Sequence, residues 1–251
     1  MCLPRWRACA ILRRVSRSSV SLPRAGVAAT PALKPVEKIT VREQVAASVR
    51  TALMNGHLRP GQVVTVKAIS EMFGASVMPA REAMHRLIAE GALELRPNRS
   101  VIVPVLSARE FDEVTDLRCH IEGLAAAQAV GLVGPQQVAE LKALDAAMRR
   151  AVPAQDIERY LAANFEFHFL IYRLGASEFV LSIIEKLWVR VGPLIRFSLN
   201  ESGFADSGEM HARVIRSLKT RDKSALRAAI HADITGAAHV IRNARRAQAK
   251  H

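Results

Sequence analysis

Apolar residues recur every three or four positions along most of the chain after residue 37, a spacing that predicts a mainly helical protein. The first predicted helix opens at Thr40 and Glu43, which are spaced as a capping box, and it ends at Gly56. A turn over residues 58–61 and a short strand at residues 63–64 come next. This part of the chain therefore predicts a small domain that combines helices with short strands.

Residues 65–86 predict two short helices that are joined by a tight turn at Gly74. Ser76 is placed to cap the second helix through its hydroxyl, and Pro79 lies in the first turn, where its missing N–H is tolerated. The buried face of the second helix comprises Ala80, Met84, Leu87 and Ile88, and its open face comprises Ser76, Val77, Arg81 and His85. Such an open face, beside a helix N-terminus that attracts anions, suits the major groove of DNA. The alternative is an ordinary helical hairpin with a solvated basic face.

Two short apolar segments come after this helical pair. Residues 91–96 and 101–104 predict the strands of a β-hairpin, with a turn at residues 97–100. A hairpin directly after a recognition helix forms the wing of a winged helix-turn-helix. Asn98 and Arg99 at its tip are placed to reach DNA phosphates or the minor groove.

At this point the sequence resembles the GntR family of bacterial transcription regulators, over about residues 40–104. The resemblance is carried by Gly56, Pro60, Gly61, Ser76, Pro79, Arg81, Glu82, Ala83, Leu87, Gly91, Pro97, Asn98 and Arg99. We therefore expect DNA contacts from Lys67, Ser76, Val77, Arg81, His85, Asn98 and Arg99. Val77 departs from the family, because most members carry a base-contacting Arg there. The operator preference of other members is therefore not transferred to this chain.

After residue 106 the chain is helical almost throughout. Ser107 and Glu110 form a second capping box, and we count six or seven helices from there. Breaks are predicted near Gly134–Pro135, Val152–Pro153, Gly175, Gly203 and Asp222. No alternating strand pattern appears, so an all-α helical bundle is expected. The predicted domains are a basic, disordered extension over residues 1–36, a winged helix-turn-helix over 37–106 and the bundle over 107–251.

Polar residues occupy helix faces of the bundle that are otherwise apolar, at Arg118, Asn164, His168, His211 and Asp233. His231 lies on the opposite face, so periodicity selects Asp233 instead. Burying charge or imidazole costs free energy unless the group is paired or binds a metal, so these residues form a coherent site if they converge. Two imidazoles with oxygen donors suit Zn²⁺, Ni²⁺ or Mn²⁺. The alternatives are core histidines that each bond a neighbour, and an ion pair between Arg118 and Glu122.

A second resemblance, over about residues 107–245, is to the FCD ligand-binding domain of the FadR subfamily. It is carried by Arg118, Glu122, Asn164, Phe165, Glu166, Phe167, His168, Glu209, Met210, His211 and Asp233. In that domain a carboxylate and three histidines commonly bind a divalent metal, which holds an organic-acid effector together with a nearby Arg. The resemblance implies a metal site at Asn164, His168, His211 and Asp233, and effector contacts from Arg118, Asn164, His168 and His211.

Two of these positions depart from the FCD pattern. Asn164 stands where Asp is common, and Asp233 stands where the last His is common. An amide is a neutral and weaker oxygen donor, while Asp233 restores one negative charge. The site then either binds metal less tightly, favours a harder ion or is a metal-free hydrogen-bonding pocket.

The formal net charge of +13 is concentrated at the two ends of the chain. Residues 1–36 contain seven Arg or Lys and residues 242–251 contain four, with no acidic residue in either segment, which leaves +2 for the rest. Such tails attract DNA phosphates without sequence specificity. The first 36 residues are similar in composition to a mitochondrial transit peptide, but the bacterial character of the chain after them favours a disordered extension or a misassigned start codon.

The cysteines and the hydropathy of the chain indicate the cellular compartment in which the protein resides. Cys2, Cys9 and Cys119 show neither disulfide pairing nor metal spacing, which is typical of a reducing environment. No apolar run reaches the length of a transmembrane helix. We therefore expect a cytoplasmic protein.

Together these features predict a DNA-binding transcription regulator, most relatives being repressors, rather than an enzyme. The winged helix-turn-helix would bind an inverted-repeat operator as a homodimer, because one such domain contacts too few bases for useful specificity. A small carboxylate in the bundle, assisted by a divalent metal if the site holds one, would control operator binding. The alternatives are a metal-dependent hydrolase or lyase built on the bundle and a regulator that senses the metal itself.

Overall fold

The helices of the first domain begin where the local sequence signals place them. This computed structural model describes residues 40–199 and 201–248, without the side chains of residues 198, 201–207 and 248. Thr40 caps α1 (Val41–Met54), and the Glu43 carboxylate accepts from the Thr40 N–H at 2.9 Å. This capping box is confirmed. The predicted extension over residues 1–36 lies outside the described part of the chain.

Three helices form the first domain, which we call the reading head: α1, α2 (Val66–Phe73) and α3 (Val77–Ala89). Gly74 ends α2 with a φ of 60°, a left-handed conformation that glycine adopts without strain. The apolar faces meet in a core that includes Val49, Leu53, Ile69, Ala80, Met84 and Leu87. Ser76 occupies the N-cap position of α3, but its side chain makes no capping hydrogen bond, so the predicted hydroxyl cap is wrong.

The wing is a short antiparallel hairpin of β1 (Glu94–Leu95) and β2 (Val101–Ile102). The N–H of Val64 donates to the Val101 carbonyl at 2.8 Å, so the segment before α2 lies along the other side of β2. At the tip, Asn98 Oδ1 accepts from the Ser100 N–H at 3.1 Å. The hairpin predicted from the apolar pattern is therefore confirmed, although its paired part is shorter than expected.

The second domain is an all-α bundle, as predicted. It contains α4 (Ala108–Ala129), α5 (Pro135–Ala151), α6 (Ile157–Gly175), α7 (Glu178–Ile195), α8 (Glu201–Thr220) and α9 (Lys223–Gln248), with a 3₁₀-helix over Arg196–Ser198 after α7. Ser107 and Glu110 cap α4, and Glu110 accepts from the Ser107 N–H at 2.8 Å. The break predicted near Gly203 lies slightly earlier, between the end of α7 at Ile195 and the start of α8 at Glu201.

The bundle is organised around α4 and α9. Helix α4 packs against α6, α7 and α9, while α8 packs against α5 and α9. The core between them is rich in aromatic side chains, among them Trp188 and Phe169, whose ring centroids lie 5.3 Å apart. None of the described helices is long and apolar enough to cross a membrane.

The reading head meets the bundle where the end of α1 contacts α7. A Cβ added at Gly192 of α7 would lie 2.4 Å from the Leu53 carbonyl oxygen and 2.6 Å from that of Met54, so only glycine permits this approach. Arg196 donates from Nη1 to the Gly56 carbonyl at 3.0 Å and lies 3.5 Å from a Glu158 carboxylate oxygen. The two domains thus touch backbone to backbone, beside a small network of charged groups.

Candidate functional site

The open face of α3 carries the side chains that were expected to contact DNA. Val77 is 56% exposed, and Ser76, Arg81 and His85 are also exposed along this helix. Because Ser76 does not cap its own helix, its hydroxyl is not used by α3. Lys67, at the start of α2, and Asn98 and Arg99, at the tip of the wing, are exposed as well. The seven predicted contacts are therefore all accessible, and their roles toward DNA stay a prediction.

The five polar residues predicted inside the bundle come from four helices, α4, α6, α8 and α9. The structure brings His168, His211 and Asp233 together, with one potential ligand atom from each lying within 4.8 Å of the others. His168 Nε2 lies 3.2 Å from Asp233 Oδ2, and His211 Nε2 lies 3.7 Å from Asp233 Oδ1. Arg118 and Asn164 line the same cavity as His168 and Asp233. His231 is exposed, as its place in the sequence pattern predicted.

The Nδ1 atom of His168 faces a chain of buried polar groups. Tyr172 lies one turn later on α6, and its hydroxyl is 3.3 Å from His168 Nδ1 and donates to Glu122 Oε2 at 2.7 Å. Burial and the neighbouring Glu122 raise the pKa of Tyr172 well above its usual value, so the hydroxyl keeps its proton. Because that one proton is given to Glu122, the Tyr172 oxygen is free to accept a hydrogen bond from His168 Nδ1.

Arg118 completes this chain by pairing with Glu122. Its Nε donates to Glu122 Oε1 at 2.6 Å and its Nη2 donates to Oε2 at 3.3 Å, and both side chains are buried. The Arg118 guanidinium also lies over the Trp188 ring, at 4.8 Å from the centroid. The Arg118–Glu122 pair that the sequence offered as an alternative is therefore formed, and Arg118 reaches the cavity from within it.

A second carboxylate lies on the Nδ1 side of His211, opposite Asp233. Asp145 on α5 places Oδ1 at 3.7 Å from His211 Nδ1, while Arg149 donates to Asp145 Oδ2 at 2.9 Å. Burial acts to raise the pKa of Asp145, but His211 and Arg149 lower it overall, so the carboxylate is ionised at neutral pH. The 3.7 Å separation is too long for a hydrogen bond, yet it favours the Nδ1 proton on the side of Asp145.

Both imidazoles consequently direct Nε2 toward Asp233. Burial acts to raise the pKa of Asp233, but His168, His211 and Arg118 lower it overall, which keeps Asp233 ionised. The three side chains therefore bring two ring nitrogens and a carboxylate together. His211 Nε2 is buried without a hydrogen-bond partner among the described residues. This donor set fits a divalent cation.

The cavity beside this cluster has a volume of about 90 Å³. Its polar lining comes from Thr115, Arg118, Tyr160, Asn164, His168 and Asp233. Apolar side chains of α7 and α9 line much of the rest, including Val191, Ile195, Ile234, Ala237 and Ile241, and Trp188 adds a buried Nε1–H that has no partner among the described residues. A cavity lined by apolar side chains with a few convergent polar groups is a candidate small-molecule site.

Three contributors to this site were missed in the sequence. Tyr172 shares a helix face with His168 at the i,i+4 spacing, so periodicity alone could have indicated it. Asp145 and Trp188 approach through tertiary packing from α5 and α7, and no local signal in the sequence connects them with His211 or Arg118.

Comparison with known proteins agrees with both domains. Residues 41–103 match the family model for bacterial regulatory proteins of the gntR family, and residues 113–236 match the FCD domain. The HTH-type transcriptional regulator McbR of Escherichia coli K12 is 30% identical over 200 residues, which cover 78% of this chain and 90% of McbR. The chain belongs to the GntR family.

Other relatives of this GntR-family protein support the same assignment. The HTH-type transcriptional repressor RspR of E. coli K12 is 23% identical over 76% of this chain and 84% of its own length. A solved structure of E. coli McbR/YncC has a TM-score of 0.76 at 28% identity and covers 82% of this chain and 99% of its own. A GntR transcriptional regulator from Rhodococcus sp. RHA1, at 18% identity and a TM-score of 0.64, shares the fold over 80% of this chain and 97% of its own. The domains and relatives indicate a DNA-binding transcription regulator and not an enzyme.

Proposed function

We propose that this GntR-family regulator represses transcription by binding an inverted-repeat operator as a homodimer, and that a small carboxylate in the bundle controls that binding with the help of a divalent metal. The observation that carries the proposal is the convergence of His168, His211 and Asp233 around a buried, unpartnered His211 Nε2. Exposed DNA-facing residues on α3 and the wing support the first half of it. Such a regulator acts where the chromosome is, in the cytoplasm.

The charges around the cavity support a metal as the partner of an anionic effector. With neutral imidazoles, Arg118 contributes one positive charge while Glu122 and Asp233 each contribute one negative charge, a net charge of −1. A carboxylate entering that field is repelled, and a buried anion without a counter-charge is costly. One divalent cation reverses the sign to +1 and makes the cavity attractive to a single carboxylate.

His168, His211 and Asp233 would hold this metal, with Asn164 as a weaker oxygen donor at the cavity wall. The metal would supply the positive charge that the effector carboxylate needs. Arg118 would contribute the guanidinium donors that Glu122 does not use, since Glu122 takes only Nε and Nη2. We therefore assign Arg118 two roles: it neutralises the charge of the Glu122 carboxylate and it contacts the effector.

Helix α7 supports a route from the cavity to the reading head. Trp188, Val191 and Ile195 of α7 line the cavity, while Gly192 of the same helix contacts the end of α1. A ligand that changes how α7 packs would change the position of α1 as well, because a glycine contact between backbones leaves no side chain to absorb the movement. By linkage, DNA would alter effector affinity by the same factor.

The first test is the metal content of protein purified without a His-tag, compared between wild type and His211→Ala. We expect about one divalent ion per wild-type chain and none in the variant, because His211 supplies one of few donors. His231→Ala is the matched control, since His231 is exposed and should leave the content unchanged. A folded wild type that takes up no zinc, manganese or nickel on soaking contradicts the metal-assisted proposal.

DNA binding separates the effector role from metal sensing. Operator fragments selected from random DNA would be titrated with metal-loaded and chelator-treated protein. We expect carboxylates to weaken operator binding only in the metal-loaded protein. If the metal alone changes operator affinity and carboxylates have no effect, the protein is a metal sensor.

A further inference from the structure

The outer side of α4 carries a row of apolar side chains. Val114, Leu117, Ile121 and Leu124 recur at helical spacing and span about 15 Å at 1.5 Å per residue. Leu117 is 54% exposed and Leu124 is 37% exposed, while the other two are half-buried. Single exposed apolar residues are ordinary on a protein surface, but a continuous row of them marks an interaction site.

Helix α7 extends this surface, because it runs antiparallel beside α4. Gly175, at the end of α6, lies directly against the backbone of Ala125 and Ala129, so α7 begins beside the second half of α4. Phe179, in the first turn of α7, is 75% exposed. Further along, residues 182–190 share a groove with the first half of α4. The combined surface, which we call the α4–α7 face, comprises Val114, Leu117, Ile121, Leu124, Phe179 and Ile183.

The groove beside this face has a volume of about 580 Å³ and carries equal numbers of opposite charges. Four acidic and four basic side chains line it: Glu90, Glu110, Glu113, Glu185, Arg50, Arg86, Lys186 and Arg190. Within the described part of the chain, Glu185 and Lys186 form no ion pair, so both are available to a partner. A groove with no net charge attracts neither DNA nor the basic first 36 residues of this chain.

A second copy of the chain is the partner that these features fit. In a two-fold pair each surface meets itself, so a face of one sign repels its copy, whereas a face with both signs beside an apolar row is self-complementary. We propose that the α4–α7 face joins two copies of this chain in a four-helix contact. This inference rests on the proposed function, which requires two reading heads for an inverted-repeat operator.

This assignment places the partner contact on the helix that also meets the cavity and the reading head. Phe179 and Ile183 of α7 face the partner, Trp188 and Val191 line the cavity, and Gly192 contacts the end of α1. A ligand that moves α7 therefore moves one reading head relative to the other. The residues of the candidate metal site all come from one copy, so separating the copies should leave metal binding intact.

Sedimentation equilibrium of the full-length chain tests the α4–α7 face. Leu117→Glu brings a carboxylate from each copy into the apolar contact, because a symmetric interface receives every substitution twice. We expect the dissociation constant of the dimer to rise at least about hundredfold, with the circular dichroism spectrum and the metal content unchanged. Ala143→Glu is the matched control, since it adds the same charge at an exposed position of α5, which packs against α6 and α8 instead.

Each outcome has a distinct meaning for the face and for the proposed function. A Leu117→Glu variant with the wild-type dissociation constant overturns the face, leaves it to another occupant such as the basic first 36 residues, and leaves the homodimer standing. A wild type that is monomeric both alone and on operator DNA overturns both. Equal dissociation of the Ala143→Glu variant also overturns the face, because the charge then acts regardless of its position. If Leu117→Glu does not fold, Leu124→Glu, two turns later in the same row, gives the same test.

Discussion

Two arginines, Arg81 and Arg118, show how differently the reading head and the bundle use the same side chain. Arg81 is exposed on the open face of α3, where water solvates it. Arg118 is buried in α4 and donates to both oxygens of Glu122. The guanidinium in the head is available for recognition, while the one in the bundle is already part of the fold.

This contrast extends to the two domains as a whole. The head presents its candidate contacts outward, so their loss should change binding and leave folding intact. The bundle buries its candidate contacts in linked polar chains, so their loss should change folding and binding together. Substitutions in the two domains should therefore differ in what they change, and they can be ranked from the largest expected effect to the smallest.

The largest effect is expected from Arg118→Ala. The substitution leaves the Glu122 carboxylate buried without its counter-ion, and we expect the free energy of unfolding to fall by about 3–5 kcal/mol. Urea denaturation followed by circular dichroism measures the change. The double variant Arg118→Met, Glu122→Gln removes both charges and keeps an acceptor for Tyr172, so it should recover most of the loss. A single variant as stable as wild type would show that the pair does not hold the fold.

Gly192→Ala tests the contact between the domains. Its Cβ would overlap the carbonyl oxygens of Leu53 and Met54, so α1 must move away from α7. We expect a loss of about 1–3 kcal/mol in stability, typical of overpacking, and weaker DNA binding from the displaced head. Gly236→Ala on α9 is the control, because nothing lies within 4 Å of its added Cβ and alanine favours the helix. If the two variants melt alike, the close approach at Gly192 is unimportant.

Arg81→Ala should act on DNA binding alone. If Arg81 reads a base, its loss should cost about 1–3 kcal/mol of operator binding per half-site, and random DNA should be affected much less. Fluorescence anisotropy at fixed salt gives both affinities. Arg109→Ala, another exposed arginine but at the start of α4, should leave both unchanged. An equal loss on operator and random DNA would identify Arg81 as a phosphate contact instead.

The smallest effect is expected at the start of α4. Hydrogen bonds from the backbone and hydroxyl of Ser107 lower the pKa of Glu110 below its usual value. The stability this gives is present above the ordinary glutamate pKa and is lost as the pH falls through the lowered one. Glu110→Gln should therefore melt slightly below wild type at neutral pH, and the two melting temperatures should converge in acid. A constant difference across that pH range contradicts the capping role.

Local patterns predicted the parts of this structure that local forces determine. Both capping boxes depend on groups three residues apart, and both form as expected. Periodicity also identified His168, His211 and Asp233 as inward-facing, because the face of a helix depends on spacing alone. The hydroxyl cap expected from Ser76 did not form, although the residue occupies the predicted position.

Distances between helices could not be predicted in this way. No local pattern in the sequence of α5 indicates that Asp145 lies next to His211, because that proximity depends on how α5 and α8 pack. The i,i+4 spacing indicated that Arg118 and Glu122 could form an ion pair. It did not indicate that Arg118 is buried against Trp188. The sequence could therefore propose the members of the site, while packing decides which nitrogen or oxygen each one presents to its neighbours.

The glycine contact between α7 and α1 has a consequence for exchanging domains between relatives. Reading heads are attractive parts for building regulators of new specificity, because their DNA-facing residues are exposed. In this chain, however, Gly56 has a φ of 65°, and a Cβ placed there would lie 3.0 Å from the Gly192 carbonyl oxygen. A transplanted DNA-binding domain must therefore carry a glycine at the position of Gly56. The chain must also leave its first helix in the same direction. Chimaeras chosen by matching this corner should fold and respond more often than chimaeras chosen by overall sequence identity.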